Sequence, residues 1–341
     1  MSIRKSEIGS EYWDVPVREG ARNAFFVGAH WYLSGRSALK AIIQELRGAK
    51  SVAMPAWCCE SMVQPFLEAG FEVRFYPVYP RNGALVQEPR TDCDVLFVMS
   101  YFGYADKITV SHPCVVRDVT HSVFSSSYED ADYCFGSLRK WCGVWTGGCA
   151  WARDGHELPA GDAGDGGYTA LRQRAMELKN RYINGYVDAG GHRVEDKGYL
   201  ELFDEAEKLL DSAGIAPAAA RDVELAGRLD AAFIRERRRA NARMLMEAFP
   251  DWLIFSQMNE RDCPLFVPVL VPDGRRDALR RYLIERDIYC PVHWPVSEVH
   301  RLDEKTAFLY DNELSLVCDQ RYAEEDMGRM IDAIQGFVGE R

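Results

Sequence analysis

Apolar positions along this chain repeat in two rhythms, and the switches between them predict its elements. Over residues 35–46, Ala38, Leu39, Ile42, Ile43 and Leu46 recur at three- and four-residue spacing, which predicts a helix ending before Gly48. Residues 51–54 form a short apolar run closed by Pro55, as a buried strand requires. The helical rhythm returns over 61–69 and stops at Gly70, and 72–76 predicts a second strand. Further strands are expected at 94–99, 114–118, 133–135 and 148–151. Strands interleaved with helices over this length imply a largely parallel sheet covered on both faces.

The pattern then changes. Residues 155–167 are dominated by Gly, Asp, Pro and Ala, which predicts a mobile surface loop or lid. Helices are expected at 171–184 and 199–210, and 222–249 is read as one long amphipathic helix linking two domains. A strand at 265–271, a helix at 275–285, a strand at 314–318 and a closing helix at 324–337 make a compact α+β appendage. The expected fold is therefore α/β: a large domain over residues 1–221 with a mixed, mostly parallel sheet, then a smaller C-terminal α+β domain over 222–341. No internal repeat is visible.

Composition narrows the function. The 341 residues are 47% hydrophobic and 27% charged, ordinary for a soluble globular chain. A net charge of −11 argues against nucleic-acid binding, which needs clustered Lys and Arg. The one basic run, residues 235–239, reads as a solvated helix face. The polar start and the lack of a long apolar run predict neither a leader nor a membrane span, hence a cytoplasmic protein. The ten cysteines are scattered and form no CxxC pair, and adjacent Cys58 and Cys59 are poorly spaced for a metal. Reduced, mostly buried thiols and no metal site are expected.

Four segments carry candidate chemistry, each where a strand or loop meets a helix. At Ser34-Gly35-Arg36-Ser37, a small turn opens a helix, offering backbone N–H groups, hydroxyls and a guanidinium to a phosphate. A simple helix cap is the plain alternative. In Val115-Val116-Arg117-Asp118-Val119-Thr120-His121, a buried strand ends in a carboxylate that could pair with a protonated pyridine nitrogen. A cap for Asp118 and a packed core histidine for His121 compete with that. Lys140 follows a strand and is flanked by Phe135, Leu138 and Trp141; desolvation there would lower its pKa, as a Schiff-base amine needs. An ordinary surface lysine beside Arg139 is the alternative. Finally, Pro291 and Pro295 frame His293 and Trp294 in a stiff segment that could present both rings to a cleft, or merely hold a domain interface.

Taken in this order, the segments resemble the DegT/DnrJ-type sugar aminotransferases, a family of pyridoxal 5'-phosphate (PLP) enzymes of fold type I. Ile8-Gly9-Ser10-Glu11-Tyr12-Trp13 resembles the opening of one branch, and Ser34 to Leu39 the family's phosphate-binding turn. Asp118 and His121 match an Asp-x-x-Gln in which Asp meets the pyridine nitrogen and Gln lies near the ring hydroxyl. Lys140, followed by Gly147-Gly148, matches the Schiff-base lysine; His293-Trp294-Pro295 and Leu314-Ser315-Leu316 resemble small-domain signatures. The match spans nearly the whole chain.

The departures are specific. His121 replaces Gln, and Phe135 stands where a serine is usual, making Ser137 the candidate for the phosphate. Cys59 occupies the ring-stacking aromatic's position, with Trp57 close by, and no Asn-Tyr-Arg segment of the kind donated by a neighbouring subunit is found. The resemblance implies a homodimer that moves an amino group from glutamate or glutamine to a nucleotide-linked keto sugar. Catalytic roles fall to Lys140, Asp118 and His121. Cofactor contacts fall also to Gly35, Arg36, Ser37, Trp57, Cys59 and Ser137, and substrate contacts to His293 and Trp294. Another PLP reaction on this scaffold, or a PLP-binding regulator, is the alternative.

Overall fold

A computed structural model describes residues 7–21, 23–105, 108, 111–125, 130–153, 155–185 and 197–339. The chain opens with strands Ile8–Gly9 (β1) and His30–Tyr32 (β2) and helix Gly35–Glu45 (α1). Next come Ser51–Pro55 (β3), Glu60–Glu68 (α2), Glu72–Tyr76 (β4), Val78–Arg81 (β5) and Ala84–Gln87 (β6). Strands Val95–Met99 (β7), Val115–Asp118 (β8), Tyr133–Ser137 (β9) and Gly148–Ala152 (β10) follow. Helices Tyr168–Ile183 (α3), Tyr199–Ser212 (α4), Ala220–Arg228 (α5) and Ala231–Ala248 (α6) come next. The chain closes with Phe266–Leu270 (β11), Arg276–Ile284 (α7), Ile288–Tyr289 (β12), Glu304–Asn312 (α8), Glu313–Val317 (β13) and Glu324–Gly339 (α9).

Seven strands form one mixed, mostly parallel sheet in the order β2-β10-β9-β8-β7-β3-β4. Neighbours β4/β3, β3/β7 and β7/β8 are parallel, and β10/β2 is antiparallel. β3, β7, β8 and β9 are fully buried, and β7 has the continuous apolar character of a strand covered on both faces, whereas β8 carries the buried Arg117 and Asp118 at its end. No helix among the described residues is long and apolar enough to cross a membrane.

Packing groups the chain into two compact units whose borders differ from a division at residue 221. One comprises Met1–Ser10, Leu46–Cys134 and Ala231–Arg341; the other comprises Glu11–Glu45 and Phe135–Asp230. In the first unit, the C-terminal elements build an α+β layer. β11 and β13 pair antiparallel, and α6, α7 and α9 bury Leu245, Leu279, Leu283, Met330 and Ile334 with them. Each such side chain contributes roughly 1.5–3 kcal/mol by leaving water. Ile8 joins this core because β1 pairs in parallel with β12. Tyr310 on α8 donates to the carbonyls of Ala56 and Cys58, and Thr306 accepts from Val78 N. These bonds fix the layer to the β3 and β5 segments.

Three expectations need correction. The long helix over 222–249 is two helices, because Leu229 is extended and Asp230 N donates to the Pro16 carbonyl at 2.9 Å. The break follows an irregular strand-like pairing of Val17 with Leu229, which periodicity alone does not reveal. The basic run is no solvated face either. Arg238 is fully buried and donates to Gln320 and to the carbonyls of Pro264 and Leu265, while Arg235 and Arg239 grip the carbonyls of Phe124, Glu260, Arg261, Asn259 and Asp262. Finally, the loop 155–167 is pinned. Asp162 and Ala163 both donate to the Ile215 carbonyl, Tyr32 donates to the Pro159 carbonyl, and Leu158 is buried. A Cβ on Gly161 would lie 2.7 Å from the backbone of Ala216 and Pro217, so glycine here permits close packing rather than motion.

Candidate active site

In the first unit, the carboxyl ends of three neighbouring parallel strands deliver the candidate residues. β3 leads to Trp57, β7 to Tyr101 and Phe102, and β8 ends in Asp118, with His121 in the turn that follows. This edge is where open α/β sheets bind ligands. The rings form one cluster. Trp57 stacks on Tyr101 at 5.2 Å and meets Trp294 edge-on at 5.6 Å. His121 lies against Trp294 at 5.5 Å and 22°, against His293 at 5.2 Å and 81°, and against Phe102 at 5.0 Å. The segment between Pro291 and Pro295 therefore does present both rings to the edge of the sheet.

Asp118 is 3% exposed, and its Oδ1 accepts from Thr120 N at 2.7 Å. It caps a turn rather than a helix. Its charge reaches its neighbours: burial chiefly, with nearby groups including Asp118, pushes the Cys58 thiol and the Tyr101 hydroxyl well above their ordinary values. The indole nitrogen of fully buried Trp57 has no hydrogen-bond partner among the described residues. Cys59 precedes α2 and accepts from the Ser61 hydroxyl at 3.1 Å. Beside Tyr101, a cavity of about 440 Å³ is lined by Arg81, Gln87, Tyr104 and Phe255 among others.

The same unit holds Glu313, which the motif reading missed, and gives Ser315, matched there only as part of a small-domain signature, a definite partner. His293 N donates to Glu313 Oε2 at 2.8 Å, His293 Nδ1 is 2.8 Å from Ser315 Oγ, and Ser315 donates to Glu313 Oε1. Glu313 and Ser315 are both fully buried. Their signal was available as a period-two pattern: polar residues at 313 and 315 on one face of an otherwise apolar strand.

In the second unit, Ser34 caps α1, its Oγ accepting from Ser37 N at 3.1 Å. Ser37 spends its hydroxyl on the Gly214 carbonyl at 2.9 Å, and Arg36 pairs with Asp211 at 2.6 Å. Ser137 is different: it is buried, and its hydroxyl has no partner among the described residues. It sits against the start of α1, where a Cβ on Gly35 would come within 3.3 Å of Ser137 Cβ. Gly148 is equally constrained, since its Cβ would lie 2.0 Å from the Ser34 carbonyl oxygen.

The turn Leu138–Lys140 separates two adjacent cations. Arg139 donates to Tyr168 Oη and pairs with Glu207, and fully buried Arg172 pairs with Glu11 and Glu207. Burial acts to raise the Glu207 pKa, but Arg139 and Arg172 hold it down at about 2. Lys140 is exposed and makes no hydrogen bond or ion pair among the described residues. The apolar flank read from the sequence does not desolvate it, because Phe135, Leu138 and Trp141 turn into the core while Lys140 turns out.

No family model matches the sequence, and no curated protein matches it. Solved structures do. PseC of Helicobacter pylori, an aminotransferase involved in the biosynthesis of pseudoaminic acid, superposes with a TM-score of 0.66 at 12% identity, covering 97% of this chain and 100% of that one. Spr1654 of Streptococcus pneumoniae, described as a sugar aminotransferase and solved in a PMP form, gives 0.62 at 13% identity over 92% and 86%. A DegT DnrJ EryC1 StrS aminotransferase from Brucella abortus gives 0.54 at 14% identity over 91% and 85%. At these identities the likeness is one of fold, and it is the fold that the sequence resemblance implies.

Proposed function

We propose that this chain is a PLP-dependent aminotransferase that moves an amino group from glutamate or glutamine to a keto sugar carried on a nucleotide. The observation that carries this reading is the exposed amine of Lys140, which makes no hydrogen bond or ion pair among the described residues, beside an arginine held by Glu207 and Tyr168. The fold shared with proteins described as aminotransferases supports it. So does the buried hydroxyl of Ser137 at the start of α1, which has no partner among the described residues, at a helix end suited to a phosphate.

PLP, when bound, supplies an electron sink for bond breaking at an amino acid's α-carbon. The residues do the rest. Lys140 Nζ provides the amine that attaches the cofactor, a task guanidinium cannot perform because it keeps its protons near neutral pH. Once displaced, Lys140 Nζ takes the proton from the donor's α-carbon and later returns one. Asp118 holds a proton on the pyridine nitrogen. Ser137 and the N-terminus of α1 receive the phosphate, with Ser37 and Arg36 bracing that turn through Gly214 and Asp211. His121 and Trp57 border the ring, and His293 and Trp294 meet the substrate. The cavity beside Tyr101 has the size of small-ligand sites and is assigned to the sugar acceptor. A cytoplasmic homodimer completes the reading.

Borohydride reduction of the PLP-loaded protein, followed by peptide mapping, tests it. The label is expected on the peptide containing Lys140, with retention lost in Lys140→Ala and kept in Arg139→Ala. A label on another lysine overturns the assignment.

A further inference from the structure

Glu313 is an unusual carboxyl group. It opens β13, is fully buried, and no cation pairs with its carboxyl among the described residues. The nearest guanidinium, that of Arg276 on α7, is spent on the backbone carbonyls of Tyr310 and Glu313 and on Asp277. β11, paired along β13, brings only Phe266, Val267, Pro268, Val269 and Leu270. The remaining titratable neighbours are His293 and the Cys290 thiol, which burial pushes up to about 12. Burial pushes Glu313 itself up to about 8 against the lowering effect of the Ser315 and His293 hydrogen bonds and Arg276. An isolated buried carboxylate takes up a proton rather than remain charged.

The hydrogen-bond chain converts that proton into a ring state. Ser315 Oγ lies between Glu313 Oε1 and His293 Nδ1, and Ser315 N donates to the Pro291 carbonyl at 3.0 Å, holding β13 against the histidine segment. When Glu313 is ionised, Ser315 donates to it and must accept from Nδ1–H. When Glu313 is protonated, it can donate to Ser315, whose own proton then turns to Nδ1 and places the ring proton on Nε2. No atom leaves the chain; one proton is gained from solvent and two hydroxyl bonds reverse. A serine hydroxyl, being both donor and acceptor, is the group that permits this.

We infer that Glu313 and Ser315 are positioning residues that set the tautomer of His293, and thereby decide whether its Nε2 donates or accepts a hydrogen bond within the cluster of His121, Phe102 and Trp294. The bearing on catalysis rests on the aminotransferase function proposed for the chain; the relay itself stands in the cofactor-free protein.

Nitrogen-15 NMR of the histidine rings in cofactor-free protein tests the relay, with His293 assigned by the loss of its signals in His293→Gln. Between pH 6.5 and 9.5, the wild type is expected to pass from the Nε2–H to the Nδ1–H form, with a midpoint near the Glu313 value of about 8. Glu313→Gln, whose amide mimics the protonated acid, is expected to lock the Nε2–H form throughout. Ser315→Ala should uncouple the ring from pH, and Ser315→Thr should restore the switch. An unchanged midpoint in Glu313→Gln, or no switch in the wild type, overturns the inference, and Ser315→Ala decides it should Glu313→Gln not fold. In PLP-loaded enzyme, the pH profile of kcat should lose its inflection near 8 in Glu313→Gln. A tautomer switch without any PLP label on Lys140 would leave the relay standing and remove the aminotransferase reading.

Discussion

Two carboxyl groups that lose all or part of their water in the fold, fully buried Glu313 and half-exposed Glu207, show opposite answers to the same electrostatic problem. Glu207 meets two guanidinium groups, those of Arg139 and Arg172, and is held at about 2 despite the cost of burial. Glu313 meets a serine and a backbone amide, and is pushed up to about 8. Removal from water disfavours charge in both places; only the local supply of countercharge differs. The difference suits separate tasks. The first network holds Arg139 in an ion pair while Lys140 acts on it only through its charge, whereas the second keeps a carboxyl near neutrality that can still gain or lose a proton.

Asp118 offers the sharpest extension of this contrast, as a third carboxyl whose countercharge, in the proposed function, is the cofactor's ring nitrogen. Asp118→Asn keeps the shape and the Thr120 bond but removes the charge. Turnover of glutamate to 2-oxoglutarate should fall by orders of magnitude while PLP remains bound through Lys140. Near-normal turnover would make Asp118 a turn cap and nothing more.

Glu207→Gln should break the ion network. An exposed pair contributes about 0–1 kcal/mol, and stranding a fully buried charge costs about 3–5 kcal/mol. Because the Glu207 side chain is 45% accessible while Arg172 is 1%, a loss between those limits, roughly 1–3 kcal/mol, is expected in urea unfolding at pH 7. A depressed pKa stabilises the folded state above the unfolded value and loses that contribution as pH falls. The gap between variant and wild type should therefore close from pH 4.5 downward toward about 2. A gap that does not depend on pH would show that packing, not charge, is responsible.

At Glu313 the slope is opposite. Its folded pKa lies above the unfolded value, so the folded state binds the proton more tightly and loses stability as pH rises from 4.5 to about 8. Glu313→Gln has no proton to lose. Urea unfolding across that range should show a wild-type decline that the variant lacks, leaving the variant relatively more stable at pH 9 than at pH 5. Parallel curves would place the carboxyl's proton elsewhere.

Much of the architecture was legible without coordinates because periodicity is a local property. Strands β3, β4, β7 and β8 fall within a residue of the ranges read from the sequence, and α1 begins after Ser34 and ends before Gly48, as read. Ser137 was named from the motif, and its buried hydroxyl has no partner among the described residues. The failures share one cause. Arg235, Arg238 and Arg239 carry polar groups that look available in sequence, and each finds a partner 20 or more residues along the chain. The glycine-rich loop 155–167 looked mobile until the Ile215 carbonyl supplied its hydrogen bonds.

The amino-acid sequence by itself determined which segments become strands and helices, since the spacing of apolar residues decides which faces can be buried. Only the tertiary structure decided the state of the polar groups. Whether Arg139 is clamped while Lys140 makes no ion pair among the described residues, or Glu207 is charged while Glu313 holds a proton, depends on which distant groups packing brings within about 3 Å, the range over which a hydrogen bond offsets the loss of water.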